Sequence, residues 1–228
     1  MGTHNLLEIV RQANCVERFC HISTDEVYGE NETGEGVKTE QSLLKPTNPY
    51  AATKAAAEML VHSYRMSYGL PIVTIRGNNV YGPRQYPEKV IPKFILRLLA
   101  NKPVVIHGSG NQLRSFLHCD DISRAVDLVL HKGELGSVYN IAASTEISIL
   151  DLAKKLVEIM KPGEPWADWV QHGTDRNFND QRYWIHADRL TALGWQPEIS
   201  FERGLHEVIQ WYKDHPSNEW WDTLPCDI

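Results

Sequence analysis

At 228 residues, with 42% apolar and 23% charged side chains, the chain is long enough for one sizeable core, or a main domain with a smaller appendage, and has the composition of a globular protein. A net charge of −6 argues against nucleic acid or an anionic membrane as the main partner, though a local basic pocket remains compatible with it. No apolar run approaches the ~18 residues of a membrane span, and MGTHNLLEIVRQANC lacks the basic and unbroken apolar regions of a secretory signal, so a cytoplasmic protein is expected.

The first helical signal covers residues 5–14, where Leu6, Leu7, Ile9 and Val10 recur at helix spacing. VERFCHIS (16–23) reads as a short buried strand, and it runs directly into Thr24-Asp25-Glu26. Two adjacent carboxylates at the end of a buried strand are electrostatically awkward unless they face solvent or act on something. After a polar loop, Asn48-Pro49 supplies an N-cap and first-turn proline for a helix ending at Gly69. PIVTIR (71–76) is a β-branched strand, residues 89–102 a helix with Pro92 in its first turn, and PVVIHG (103–108) a strand.

Asp120-Asp121 can cap a helix over 122–132, SVYNIA (137–142) is extended, and Ser148 can cap a helix running to Met160. A last helix covers roughly 200–214. This alternation predicts an α/β sheet with helices on both faces. Beyond about residue 161 the alternation fades into a Trp- and Pro-rich stretch, read as a smaller lobe. Four cysteines and ten histidines form no CxxC or HExxH spacing, so reduced thiols and no metal are expected.

Tyr50 and Lys54 stand at i, i+4 near the start of the long helix and share a face. An ammonium beside a phenol lowers its pKa from about 10, which would let Tyr50 act as a base near neutral pH. In isolation, YxxxK is better read as an ordinary exposed pair, and Asp25-Glu26 as a solvated acidic turn. In order along the chain, however, come STDEVYG (23–29), NPYAATKAAAE (48–58), RGNNVYGPRQYPEKVIPKFI (76–95), HGSGNQLRSFLHCDDI (107–122), VYNIA (138–142) and DRNFNDQRY (175–183). With these segments the sequence resembles the nucleotide-sugar 4,6-dehydratases of the extended short-chain dehydrogenase/reductase family, over nearly its whole length.

The resemblance implies a partial Rossmann-like doubly wound parallel sheet, lacking its first βα units, with a smaller C-terminal substrate-binding lobe. Residues 1–160 would then be the C-terminal part of an NAD-binding domain with interleaved substrate segments, and 161–228 mainly the substrate lobe. It implies an NAD-dependent lyase that dehydrates dTDP-glucose, or next to it UDP-glucose, to the 4-keto-6-deoxy sugar. In that scheme Tyr50 takes the 4-hydroxyl proton, Lys54 holds the nicotinamide ribose, Glu26 removes the carbon-5 proton and Asp25 protonates the leaving 6-hydroxyl. Close like charges would push the two carboxyl pKa values apart. Thr24 would bond the sugar, with Val80 beside the nicotinamide.

Further substrate contacts implied by the resemblance are Asn79, Lys89 and Val90, then Val105, Ile106 and His107 around the base. Arg114 and Arg176 would pair with the diphosphate, and Asn140 and Asn179 complete the set. Asn177 departs from the family pattern, which has proline after the arginine. Helices 2–14 and 49–69 match those that build the family's homodimer. Sibling epimerases share YxxxK but lack the acid pair, which favours elimination; a catalytically inactive fragment that keeps its dimerisation helices is the other alternative.

No Gly-rich turn suited to a dinucleotide pyrophosphate follows any strand: Gly34-x-Gly36 lies in an acidic loop and Gly108-x-Gly110 precedes no helix. In the resembling family that part lies upstream of the first helix, so about three βα units, on the order of 100 residues, would be missing. The expectation is an N-terminally truncated dehydratase that binds NAD weakly on its own.

Overall fold

A computed structural model of the chain describes residues 1–31, 36–175 and 180–215. Helix α1 spans Gly2–Ala13 and leads into strand β1, Phe19–Thr24, which starts three residues later than the apolar run predicts. The chain then tightens into a 3-10 turn, Asp25–Tyr28, that the sequence pattern did not announce. Thr24 caps this turn by accepting the Glu26 N–H at 3.3 Å. Gly29 closes it at φ 75°, where a Cβ would collide with the Lys45 carbonyl.

Helix α2, Pro49–Tyr68, begins as expected: Asn48 Oδ1 accepts the Ala51 N–H, Pro49 needs no partner for an N–H it lacks, and Gly69 closes the helix in the left-handed region. Strands β2 (Ile72–Gly77) and β3 (Asn79–Tyr81) follow, then α3 (Val90–Leu99), β4 (Val104–His107) and β5 (Leu113–His118). Helix α4, Cys119–Lys132, starts earlier than Asp120-Asp121 capping would require. Its cap is His118, whose Nδ1 accepts the Asp120 N–H, while the buried Asp121 carboxylate accepts the Glu198 and Ile199 N–H groups. Strands β6 (Val138–Ile141) and β7 (Glu146–Ser148) precede α5, Ile149–Met160, capped by Ser148 as expected. Strand β8 (Val170–Gly173), the short α6 (Asp188–Ala192) and α7 (Phe201–Asp214), capped by Ser200, complete the order.

Among the described residues the α/β fold is present as three small sheets. β1, β2 and β6 are parallel, with β2 in the centre and buried along its whole length. Helices cover both faces of this sheet. Ile72 packs with Leu7 of α1 and Val61 and Tyr64 of α2, whereas Val73 and Ile75 pack with Ala125 and Val129 of α4 and with Leu190 and Trp195. β5 pairs in parallel with β3 and antiparallel with β7, and β4 pairs in parallel with β8.

The largest core cluster joins α3, α5 and α7: Ile95, Leu98, Leu152, Leu156, Leu205 and Val208 are fully buried in it. Full burial of each such side chain is worth about 1.5–3 kcal/mol. The paired strand ends Thr24 and Gly77 line one space together with Tyr50 of α2 and Val90 and Ile91 at the start of α3.

Candidate active site

A cleft of about 820 Å³ opens at the C-terminal ends of β1 and β2. Its walls include Thr24 and Glu26 from the first strand and its turn, Tyr50 from α2, and Asn79 and Val80 from β3. Lys89, Val90 and Arg114 line it on the far side. A second cavity of about 200 Å³ adjoins it and shares Asn79, Val90 and Arg114. Val105, Ile106 and His107 of β4 line that smaller cavity, with the exposed His107 holding Nδ1 3.1 Å from the Thr174 carbonyl. The structure thus brings together most residues singled out in the sequence, in two adjoining spaces.

The acid pair splits cleanly. The 3-10 twist turns Asp25 inward, where it is 3% exposed, while Glu26 stays on the cleft wall. Asp25 Oδ2 accepts from Asn78 Nδ2 at 2.6 Å and Oδ1 from the Thr24 hydroxyl at 3.2 Å. Burial nonetheless pushes its pKa up to about 7, with the Glu26 charge a smaller contribution. Desolvation, rather than the like-charge repulsion expected from the sequence, is the main cause of the raised Asp25 pKa.

Glu26 Oε2 accepts from Asn48 Nδ2 at 3.0 Å. Tyr50 is 55% exposed, and its pKa is raised rather than lowered: burial acts first, then the Glu26 charge, partly offset by a hydrogen bond with Thr24. The expected depression by Lys54 is not present, because Lys54 Nζ donates to the Ile22 carbonyl at 2.7 Å instead of facing the phenol.

Arg114 Nη2 donates to the Asp180 carbonyl at 2.8 Å, and its guanidinium lies 5.3 Å from the Tyr183 ring centre. Lys89 stands exposed with Nζ 3.1 Å from Glu88 Oε1. Asn140 is a correction: it is wholly buried on β6, lines neither cavity, and its Oδ1 accepts from the Tyr28 hydroxyl at 2.8 Å. Arg176, Asn177 and Asn179 lie outside the described residues.

Sequence reasoning missed Asn78, Asp180 and Tyr183, and saw Asn48 only as a cap. Asp180 and Tyr183 stand inside the recognised DRNFNDQRY segment, so the signal was there. Asp180 Oδ1 accepts the Thr47 hydroxyl at 2.6 Å, and the Tyr183 hydroxyl donates to Asp180 Oδ2.

This geometry can be set beside known proteins. A profile of the GDP-mannose 4,6 dehydratase family matches residues 1–208. The chain belongs to that family. It is 49% identical over 224 residues to a trifunctional UDP-glucose 4,6-dehydratase/UDP-4-keto-6-deoxy-D-glucose 3,5-epimerase/UDP-4-keto-L-rhamnose-reductase of Arabidopsis thaliana, covering 98% of this chain and 33% of that protein. It is 44% identical over 220 residues to the dTDP-D-glucose 4,6-dehydratase of Homo sapiens, covering 95% of this chain and 62% of the relative. The dTDP-glucose 4,6-dehydratase of Streptomyces venezuelae, solved with NAD bound, superposes with a TM-score of 0.91 at 36% identity, covering 98% of this chain and 67% of that one. The chain thus spans between a third and about three fifths of the length of these curated relatives.

Proposed function

We propose that the chain carries the catalytic residues of an NAD-dependent nucleoside-diphosphate-glucose 4,6-dehydratase, a lyase acting on dTDP-glucose or UDP-glucose. The observation that carries this reading is the divided acid pair. One carboxyl is buried and keeps a proton close to neutral pH, its neighbour faces the cleft beside Tyr50, and elimination needs one acid and one base.

The residues present fit the nicotinamide end of the cofactor. Ser23 Oγ lines the cleft, is buried, and has no partner among the described residues, so it awaits a polar ligand group. Tyr50 and Val80 flank the same wall, with Lys54 one helical turn from Tyr50. No Gly-rich turn for a pyrophosphate occurs among the described residues. NAD, when bound, supplies the hydride acceptor at sugar carbon 4 and the donor at carbon 6.

In this reading Tyr50 receives the 4-hydroxyl proton. Its raised proton affinity means that Lys54 must leave the Ile22 carbonyl and face the phenol as ligand binds. The 4-ketone acidifies the carbon-5 proton, which Glu26 removes as carboxylate. Asp25 gives its proton to the 6-hydroxyl, which departs as water. Thr24 holds the sugar near Tyr50. Arg114, Lys89 and Asn79 take the diphosphate and sugar, and Val90, Val105, Ile106 and His107 enclose the base. Arg176 and Asn179 belong to the same proposal through sequence resemblance alone.

A homodimer through α1 and α2 is part of this reading, supported by the exposed Leu6 and Ile9 on α1 and Met59 and Met66 on α2. Among the described residues no helix is long and apolar enough to cross a membrane, and a cytoplasmic setting is proposed. The test incubates the chain with NAD and each nucleotide sugar. A 4-keto-6-deoxy product that Glu26→Gln abolishes is expected, and its absence with both sugars overturns the assignment.

A further inference from the structure

Asn48 is held at both ends of its amide. Oδ1 accepts the Ala51 N–H at 2.8 Å as the cap of α2, and Nδ2 lies 3.0 Å from Glu26 Oε2, 3.3 Å from Asp180 Oδ2 and 3.4 Å from the Tyr183 hydroxyl. Chemistry fixes this orientation. A flipped amide would aim its oxygen at two carboxylates and its N–H groups at a backbone N–H. Asp180, itself 5% exposed, is anchored by the Thr47 and Tyr183 hydroxyls, so the amide has a rigid support behind it. Glu26 itself lines the cleft.

We propose that Asn48 is a positioning residue that fastens Glu26 to the N-terminus of α2, two residues from Tyr50, so that the carbon-5 base and Tyr50 move as one body. The proposal rests on the reading of Glu26 as that base. The backbone end of the 20-residue α2 adds a favourable field for a carboxylate, since unpaired N–H groups give a helix N-terminus partial positive charge. The cap is therefore shared between holding a helix and holding a reactive side chain.

The two roles separate by substitution. Asn48→Ser keeps a capping oxygen but is too short to reach Glu26; Asn48→Asp keeps length and cap but sets a third carboxylate against Glu26 and Asp180. Expected for Asn48→Ser is a Tm close to that of the unsubstituted chain, with carbon-5 deuterium exchange slowed about tenfold or more and KM changed less than about twofold. Asn48→Asp should be slower still at pH 8 and recover as pH falls. Unchanged exchange in Asn48→Ser overturns the proposal.

An activity-independent readout is the crystal structure of Asn48→Ser, in which Glu26 should leave its position over the first turn of α2. A Glu26 that stays there in a single conformation also overturns the proposal. Should the unsubstituted chain turn over neither nucleotide sugar, the functional reading fails instead, and the Glu26 conformation alone decides the positioning role.

Discussion

Asp25 and Glu26 are neighbours in sequence and opposites in environment. The 3-10 turn sets them apart: Asp25 is buried against Asn78 and Thr24, and Glu26 lines the cleft. The sequence exposed the pair, and resemblance gave each a role, but the burial of one was invisible because it depends on Asn78 and Thr24 closing over it. The same limit explains the Tyr50 result: helix spacing put Lys54 on the right face, but not which acceptor its ammonium would choose.

A stability consequence follows, with a definite sign. Asp25 titrates from 3.8 when unfolded to about 7 when folded, so below pH 3.8 both states hold the proton and burial of the neutral acid is tolerated. Between those values only the unfolded chain ionises, and stability falls until about pH 7. The substitution Asp25→Asn, which puts a neutral amide in place of the carboxyl, should therefore raise Tm more at pH 8 than at pH 4, measured by differential scanning calorimetry at both pH values. If Asp25 is the acid of the proposed elimination, the rate should decline as pH rises through about 7, and the same substitution should abolish the elimination.

At the level of elements, the turn and α2 are braced by a buried chain of charges. Glu58 stands one turn beyond Lys54 on α2 and accepts from Arg76 Nε at 3.0 Å and Nη2 at 2.5 Å. Arg76 Nη1 donates to the Tyr28 hydroxyl at 2.7 Å, and Tyr28 ends the turn that carries the acid pair. Glu58→Ala would strand a buried guanidinium and should cost about 3–5 kcal/mol. Tyr28→Phe, losing one hydroxyl, should cost about 1–3 kcal/mol. Urea midpoints at constant slope would measure both, and a Glu58→Ala midpoint equal to that of the unsubstituted chain would contradict the brace.

The long helices α2, α5 and α7 were readable from caps and apolar spacing, since each combines a capping Asn or Ser with a repeating buried face. β3 and β7 were not, being three residues long, too short for any period to register. β5 hid for another reason: its buried run Ser115-Phe116-Leu117-His118 mixes polar and apolar side chains because both kinds end up inside.

On the scale of the whole molecule, the described residues form a second cavity beside the first but contain no pyrophosphate turn. The chain should therefore distinguish its ligands. UDP or dTDP at millimolar concentration should raise Tm by binding the folded state, whereas NAD at the same concentration should raise it less. A larger shift with NAD, read by thermal fluorescence, would contradict the expected weakness of that half of the site.

The overlap of the two cavities has a consequence for divergence. Asn79, Val90 and Arg114 belong to both spaces, while β4 touches only the smaller one and the acid turn only the larger. On the proposed reading, a substitution at Val105 or His107 would retune which base is accepted without touching the wall that carries Glu26 and Tyr50. Changes at the shared wall cannot be so selective. The molecule is built so that its vocabulary can drift while its grammar stays put.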